Sequence, residues 1–233
     1  MTTSQTLAAL VNANPTTARI LERHQLDYCC GGQRTLEQAC AERDLDPATV
    51  LAELKEAQLE PASDWTTMSA GELVDHIEST HHRYLHEELP RLAALTDKVI
   101  GVHGTRHREL HDVAITFAAL RDDLEPHLMK EERVLFPMIR DLAAAAAAPT
   151  FRCGSLSNPI RMMLLEHDRA GELLASLRAI TAGFEPPADA CASYQNLYRS
   201  LAEVEADTHL HVHKENNVLF PAVLTIEGAL STR

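Results

Sequence analysis

The chain has 233 residues, with 34 acidic against 21 basic side chains for a formal charge of −13, and thirteen histidines outside that count. A surface this acidic repels phosphate backbones and anionic lipid, so nucleic acid and membrane are excluded as partners. Hydrophobic residues make up 45% of the chain and aromatics only 4%, so the apolar content is mostly aliphatic and suits packed helices better than sheets; the expected fold class is all-α.

Met1 to Pro15 lacks a basic stretch followed by an apolar core, and no segment reaches the ~18 apolar residues that a membrane span needs. A cytoplasmic protein is the expectation. Cys29, Cys30, Cys40, Cys153 and Cys191 are odd in number and irregular in spacing, which reads as reduced thiols rather than a disulfide framework.

Helix signals begin early. Asn14-Pro15 places an N-cap before a proline, Thr35 with Gln38 forms a capping box, and Asp46-Pro47 repeats the first device, so three short helices are expected. Between the first two caps lies Asp27-Tyr28-Cys29-Cys30-Gly31-Gly32, whose paired glycines are expected to end a helix and turn the chain through conformations closed to other residues. That puts two adjacent thiols at an accessible turn. Residues 57–67 lose the helical pattern and contain Pro61 and Ser63. The expected organisation is a small helical domain over 1–58, a linker over 59–67 and a second domain over 68–233.

Ser69 with Glu72 opens a second series, with long helices expected at about 69–98, 107–142, 158–182 and 188–226. Gly101 and Gly104, Asn158-Pro159 and Glu185-Pro186-Pro187 punctuate them. Short joins imply antiparallel neighbours, hence an up-down four-helix bundle whose longest connection follows the alanines 143–148.

The two halves of this series repeat. His127-Leu-Met-Lys-Glu131-Glu-Arg-Val-Leu-Phe-Pro137 matches His211-Val-His-Lys-Glu215-Asn-Asn-Val-Leu-Phe-Pro221 at an offset of 84, and His82 matches His167 at an offset of 85. Residues four apart share one helix face, so His127 with Glu131 and His211 with Glu215 each aim at one point. A single His-x-x-x-Glu pair is usually a surface interaction, but two in one frame, both leading into Leu-Phe-Pro, are hard to assign to chance. Six donors, His82, His127, Glu131, His167, His211 and Glu215, suit two metals, with both carboxylates bridging and imidazoles terminal. That nitrogen and oxygen environment suits iron and leaves coordination positions open.

Pro126, Pro137 and Pro221 flank the pairs and imply kinks, local unwinding or helix ends. The histidines His76, His81, His86, His107, His111, His209 and His213 are expected to be exposed or supporting, with His213 facing away from the metals. His103 lies 21 residues after His82, roughly 31 Å along a continuous helix, and reads as a loop or access-path residue.

With these motifs in place, the whole chain resembles the iron–sulfur cluster repair di-iron proteins, which join a short N-terminal domain to a hemerythrin-like bundle. The resemblance rests on Asp27-Tyr28-Cys29-Cys30-Gly31-Gly32, His127-x-x-x-Glu131, Glu166-His167-Asp168 and His211-x-x-x-Glu215-Asn216-Asn217-Val218-Leu219-Phe220-Pro221. It implies two non-haem iron ions bridged by Glu131, Glu215 and an oxo or hydroxo group. It also implies roles in nitrosative and oxidative stress, with nitric oxide or oxygen as small ligand and damaged or apo iron–sulfur proteins as clients. Gly171 stands where oxygen-carrying hemerythrins place a further ligand, which favours reaction with small molecules or release of iron over oxygen storage.

In the same context Cys29 and Cys30 are candidates for redox exchange, nitrosyl acceptance or iron transfer, since thiolates are soft ligands and nucleophiles. Two residues do not complete a tetrahedral site, so any cluster there needs a second chain or a client. A conventional hydrolase or dehydrogenase is not indicated, and monomer and homodimer both stay open. The competing expectations are a hemerythrin-type carrier or sensor of oxygen or nitric oxide and, more weakly, a di-iron oxidase, whose bundles use four carboxylates with Glu-x-x-His pairs.

Overall fold

A computed structural model describes residues 1–57 and 65–232. The expected linker falls largely on residues outside that set. Among the described residues the chain is helical, with only two isolated bridges.

Four short helices come first: α1 (Leu7–Ala13), α2 (Thr17–Arg23), α3 (Leu36–Ala41) and α4 (Pro47–Glu56). Thr35 and Gln38 cap α3 reciprocally and the Asp46 carboxylate takes the N–H groups of Ala48 and Thr49 at the start of α4, as their sequences imply. Helix α1 is additional to the three expected. It starts where the Thr6 hydroxyl accepts the Ala9 N–H, and at seven residues it is too short to leave a periodic signal. The Gly31-Gly32 pair does not terminate α2, which stops at Arg23, two residues before Gln25 takes a φ of +53°.

The bundle has four rods. The first is α5 (Ala70–Ile77), a π-helical turn over Glu78–His82 and α6 (Arg83–His103); the second is α7 (Glu109–Lys130), a π turn over Glu131–Leu135 and α8 (Phe136–Ala144). The third is the unbroken α9 (Ser157–Ile180). The fourth is α10 (Ala192–Lys214), a π turn over Glu215–Leu219 and α11 (Phe220–Ser231). Helix α6 packs on α7 and α10, and α9 closes the ring against the same two. These rods follow the expected spans closely, and the fold is the expected helical bundle.

Pro137 and Pro221 explain two of the π turns. Each lacks the N–H that would bond the carbonyl four residues earlier, and the ladder widens just before it: Phe136 N–H donates to Glu131 O and Phe220 N–H to Glu215 O, five residues back. The prolines thus widen the helices locally without ending them.

Two apolar clusters fill the interior. One, including Leu85, Leu92, Leu120, Leu128, Leu174 and Leu201, lies wholly inside the bundle. The other runs without a break from Leu10, Leu21 and Leu36 of the short helices into Ile77, Phe136 and Leu219 of the bundle. The N-terminal helices therefore share a core with one half of the bundle. Trp65, inside the span expected as a linker, belongs to this core. No helix among the described residues is long and apolar enough to cross a membrane.

A half-buried arginine and a buried glutamate tie α9 to α10. Arg178 Nε lies 2.9 and 3.0 Å from the two oxygens of Glu205, a residue only 2% exposed. Arg178→Met would strand that carboxylate, and a loss of about 1–3 kcal/mol is expected in urea unfolding; a change within error would show that Glu205 finds water or another partner.

Candidate metal centre

The six candidate donors lie where the two apolar clusters meet. Along every rod the residues on one side belong to the bundle cluster and those on the other to the shared core: Leu85 and Ile77 around His82, Leu128 and Leu135 around Glu131, Ala170 and Met163 around His167, Val204 and Leu219 around His211 and Glu215. All six are at most 2% exposed.

Their donor atoms form two sets. His82, His211, Glu131 and Glu215 offer atoms within 4.8 Å of one another, and so do His127, His167, Glu131 and Glu215. Both carboxylates belong to both sets. His211 Nε2 lies 3.1 Å from Glu215 Oε1 and His167 Nε2 lies 3.1 Å from Glu215 Oε2, while His127 and His82 place Nε2 at 3.3 and 3.5 Å from Glu131 Oε2.

Hydrogen bonds on the outer side of the rings fix which nitrogen faces inward. His82 Nδ1–H donates to Glu132 Oε1 at 3.0 Å, His127 Nδ1–H to Glu166 Oε2 at 2.9 Å and His167 Nδ1–H to Asn216 Oδ1 at 2.8 Å. These oxygens accept, so the outer nitrogen of each ring carries a proton and the inner Nε2 is the atom left to face a metal. The Nε2 atoms of His82 and His211 face each other at 3.2 Å, and those of His127 and His167 at 3.1 Å. Both Glu131 oxygens and Glu215 Oε2 lack a hydrogen-bond donor among the described residues. Converging imidazole nitrogens and orphaned buried carboxylate oxygens call for positive charge between them, and the residues present fit bound metal.

The repeat extends into this support. Glu132 and Asn216 occupy equivalent positions, each following a shared glutamate, and each holds the histidine contributed by another rod. Phe136 lies against the His82 ring and Phe220 stacks on His167, again as equivalents. The symmetry fails at Glu166, whose equivalent is His81. That ring stacks on His211 at 5.4 Å, and His211 Nδ1 has no hydrogen-bond partner among the described residues. Burial lowers His81 to about 4, so it is neutral; its Nδ1–H donates to Asp207 and its Nε2 accepts from Lys214 Nζ at 2.7 Å. Burial also draws Lys214 down to about 8, and its amine sits over Trp65.

A cleft of about 340 Å³ opens between α7 and α9 and ends on His127 and His167. The ion pairs Lys130–Glu166 and Arg169–Asp123 form its rim. Solvent thus approaches one donor set from the side.

Other candidates lie elsewhere. His103 ends α6 with Nε2 3.1 Å from Cys191 Sγ and belongs to neither donor set. His213 faces away from the metals as expected, yet it is wholly buried: its Nδ1 lies 3.2 Å from Tyr28 O and its Nε2 2.9 Å from Asn12 Oδ1, contacts that dock the N-terminal helices. A second layer of protein covering that face left no mark in the spacing.

The Cys29-Cys30 turn sits on this docked surface. The Asp27 carboxylate accepts the N–H groups of Cys29, Cys30 and Gly31, and with the two sulfurs forms a third cluster of possible ligand atoms within 4.8 Å. Sequence reasoning passed over Asp27, although it stands two residues before the pair. Both thiols are free, but Cys29 is buried and only Cys30 is partly open. The hydrogen bond to Cys30, burial and Asp27 push the Cys29 thiol well above its ordinary value. Neither Gly31 nor Gly32 has a positive φ; a Cβ on Gly32 would come within 2.5 Å of Tyr28 O and 2.8 Å of Asn217 Oδ1. That glycine serves close approach to the bundle.

Buried carboxylates shared between paired histidines of four antiparallel rods define a hemerythrin-type cation-binding bundle, and residues 73–223 match the hemerythrin HHE cation binding domain. Residues 3–58 match a domain of unknown function, DUF542. The iron-sulfur cluster repair protein YtfE of Enterobacter sp. (strain 638) is 37% identical over 96% of this chain and 98% of its own. The probable iron-sulfur cluster repair protein of Haemophilus influenzae is 38% identical over 94% and 96%, and YtfE of Escherichia coli O8 is 34% identical over 96% and 98%. The chain belongs to the iron–sulfur cluster repair family, a DUF542 domain joined to a hemerythrin bundle.

The charge pattern sets a pH dependence. Burial alone would lower His127, but Glu131, Glu166 and Glu215 raise it to about 10, so in the metal-free protein it is protonated at neutral pH. Its charge then stabilises the fold fully below the ordinary value of 6.5, and this is lost as pH rises through about 10. A metal must displace that proton, so affinity is expected to weaken as pH falls. Titration calorimetry at neutral pH in buffers of different ionisation enthalpy should register proton release on loading; none would contradict the assignment.

Proposed function

We propose that the bundle holds two iron ions bridged by Glu131 and Glu215, with His82 and His211 terminal on one and His127 and His167 on the other, and that the chain serves iron–sulfur cluster repair by binding nitric oxide and delivering iron. The observation that carries this reading is the pair of donor sets with both glutamates in common. Two imidazoles and shared carboxylates leave each metal with unfilled positions, a donor set suited to ferrous iron. When bound, the iron pair supplies redox-active coordination sites for a small diatomic ligand.

The chain's own residues supply the rest. Glu132, Glu166 and Asn216 orient the imidazoles, the apolar clusters exclude bulk water, and the cleft above His127 and His167 admits a ligand of diatomic size or lets an ion leave. The relatives' names speak of iron–sulfur cluster repair, which supports the same role here. Asp27, Cys29 and Cys30 form a thiol-bearing cluster of possible ligands on the docked domain and are candidates to receive iron in transit.

Glu131→Leu is expected to lose one or both irons by metal analysis; two retained irons with an unchanged spectrum would remove the bridging role. The reduced, iron-loaded protein is expected to give a nitrosyl signal with nitric oxide and to pass iron to an apo iron–sulfur acceptor. Absence of both would sink the repair reading, and a stable, reversible oxygen adduct in their place would make the chain a carrier.

A further inference from the structure

Asn216 touches both the metal centre and the cysteine turn. Its Oδ1 accepts from His167 Nδ1–H at 2.8 Å, and its Nδ2–H group faces Cys29 O at 3.4 Å and Cys30 Sγ at 4.0 Å. Its equivalent in the first half, Glu132, accepts from His82 and the surface residue His86 and has no N–H to offer. The two halves therefore differ where the second one meets the N-terminal domain. The neutral amide holds its histidine less strongly than a carboxylate would, and it has a donor left for the sulfur side.

The side-chain amide is a rigid plane. Its nitrogen cannot follow a displaced Cys30 sulfur without carrying the oxygen away from His167. Loss of an outer partner frees the ring to rotate and lowers its basicity towards a metal. The donor set that includes His167 is also the one the cleft reaches. Asn217, the next residue, bonds Tyr28 O, Cys29 O and Gln33, so it docks the turn with no link to any of the four inward-facing histidines.

We propose that Asn216 is a positioning residue that links the Cys29–Cys30 turn to the metal position at His127 and His167, so that loading or modification of Cys30 loosens the metal held by His167. The inference rests on the di-iron reading. Occupation of the cysteine pair is thereby signalled to the metal position nearest the cleft.

The test follows release of iron from fully loaded protein into a ferrous chelator, in a Cys153→Ser/Cys191→Ser background so that alkylation by iodoacetamide reports on Cys30, which is more open than Cys29. Asn216→Ala is expected to speed release of one of two irons by about ten- to hundredfold, and Asn217→Ala to leave it unchanged. Asn216→Asp keeps an acceptor for His167 but no donor for Cys30, so release should stay slow. Alkylation should accelerate release in the otherwise wild-type chain and have no effect in Asn216→Asp. If the parent retains no iron, the di-iron reading fails and takes this inference with it. If it retains two, three results overturn the inference alone: Asn216→Ala at the parental rate, Asn217→Ala as fast as Asn216→Ala, or alkylation acting equally on Asn216→Asp.

Discussion

Two glutamates, Glu131 and Glu215, meet with no solvent-exposed surface, and the cost of that arrangement organises the rest of the molecule. Isolated buried carboxylates are untenable, so positive character must meet them at close range. Four imidazoles do so, and outside them Glu132 and Glu166 supply negative charge again. The interior is an alternation of acid, base and acid along radii from one point. Burial and Glu215 push the Glu131 carboxyl up, yet the neighbouring histidines more than reverse this and hold it at about 2. The pair therefore remains anionic, ready for cations in a place that would otherwise select against charge.

The same centre determines how the N-terminal helices attach. Their core runs into the bundle, and their polar contacts converge on one stretch of the fourth rod, where His213, Asn216 and Asn217 meet the backbone of Tyr28 and Cys29. Tyr28 is itself buried with its hydroxyl on Glu22, and its ring meets His213 edge-on. The dithiol turn is thereby placed one side chain from His167. Gly32 is required there because a larger residue would lift the turn off Asn217.

Much of this was legible in the amino-acid order because duplication is loud. The His-x-x-x-Glu pairs and Leu-Phe-Pro sequences recur in one frame, and helical spacing alone sets them on matching faces; the rods begin and end near their caps and prolines. What was not legible depends on a second layer. His213 is out of phase with the donors, yet the direction it takes leads to another domain instead of to solvent. His81 sits where its counterpart is Glu166, and only packing shows it stacked on His211. Asp27 and Trp65 join their clusters through chain reversals that no periodicity records, and the role of Gly32 is one of space, which composition does not distinguish from torsional freedom.

The π turns have a consequence for helical phase. In a regular helix residues five apart point about 140° away from each other, so Glu131 and Phe136 would not share an inward face. One extra residue in the turn rotates everything downstream by about 100° and brings them back together. Both are buried, as are Glu215 and Phe220 in the fourth rod. Each widened turn is thus a phase correction that joins two stretches of helix cut to different registers. The centre occupies the overlap, with donors supplied from the upstream register and ring-stacking phenylalanines from the downstream one.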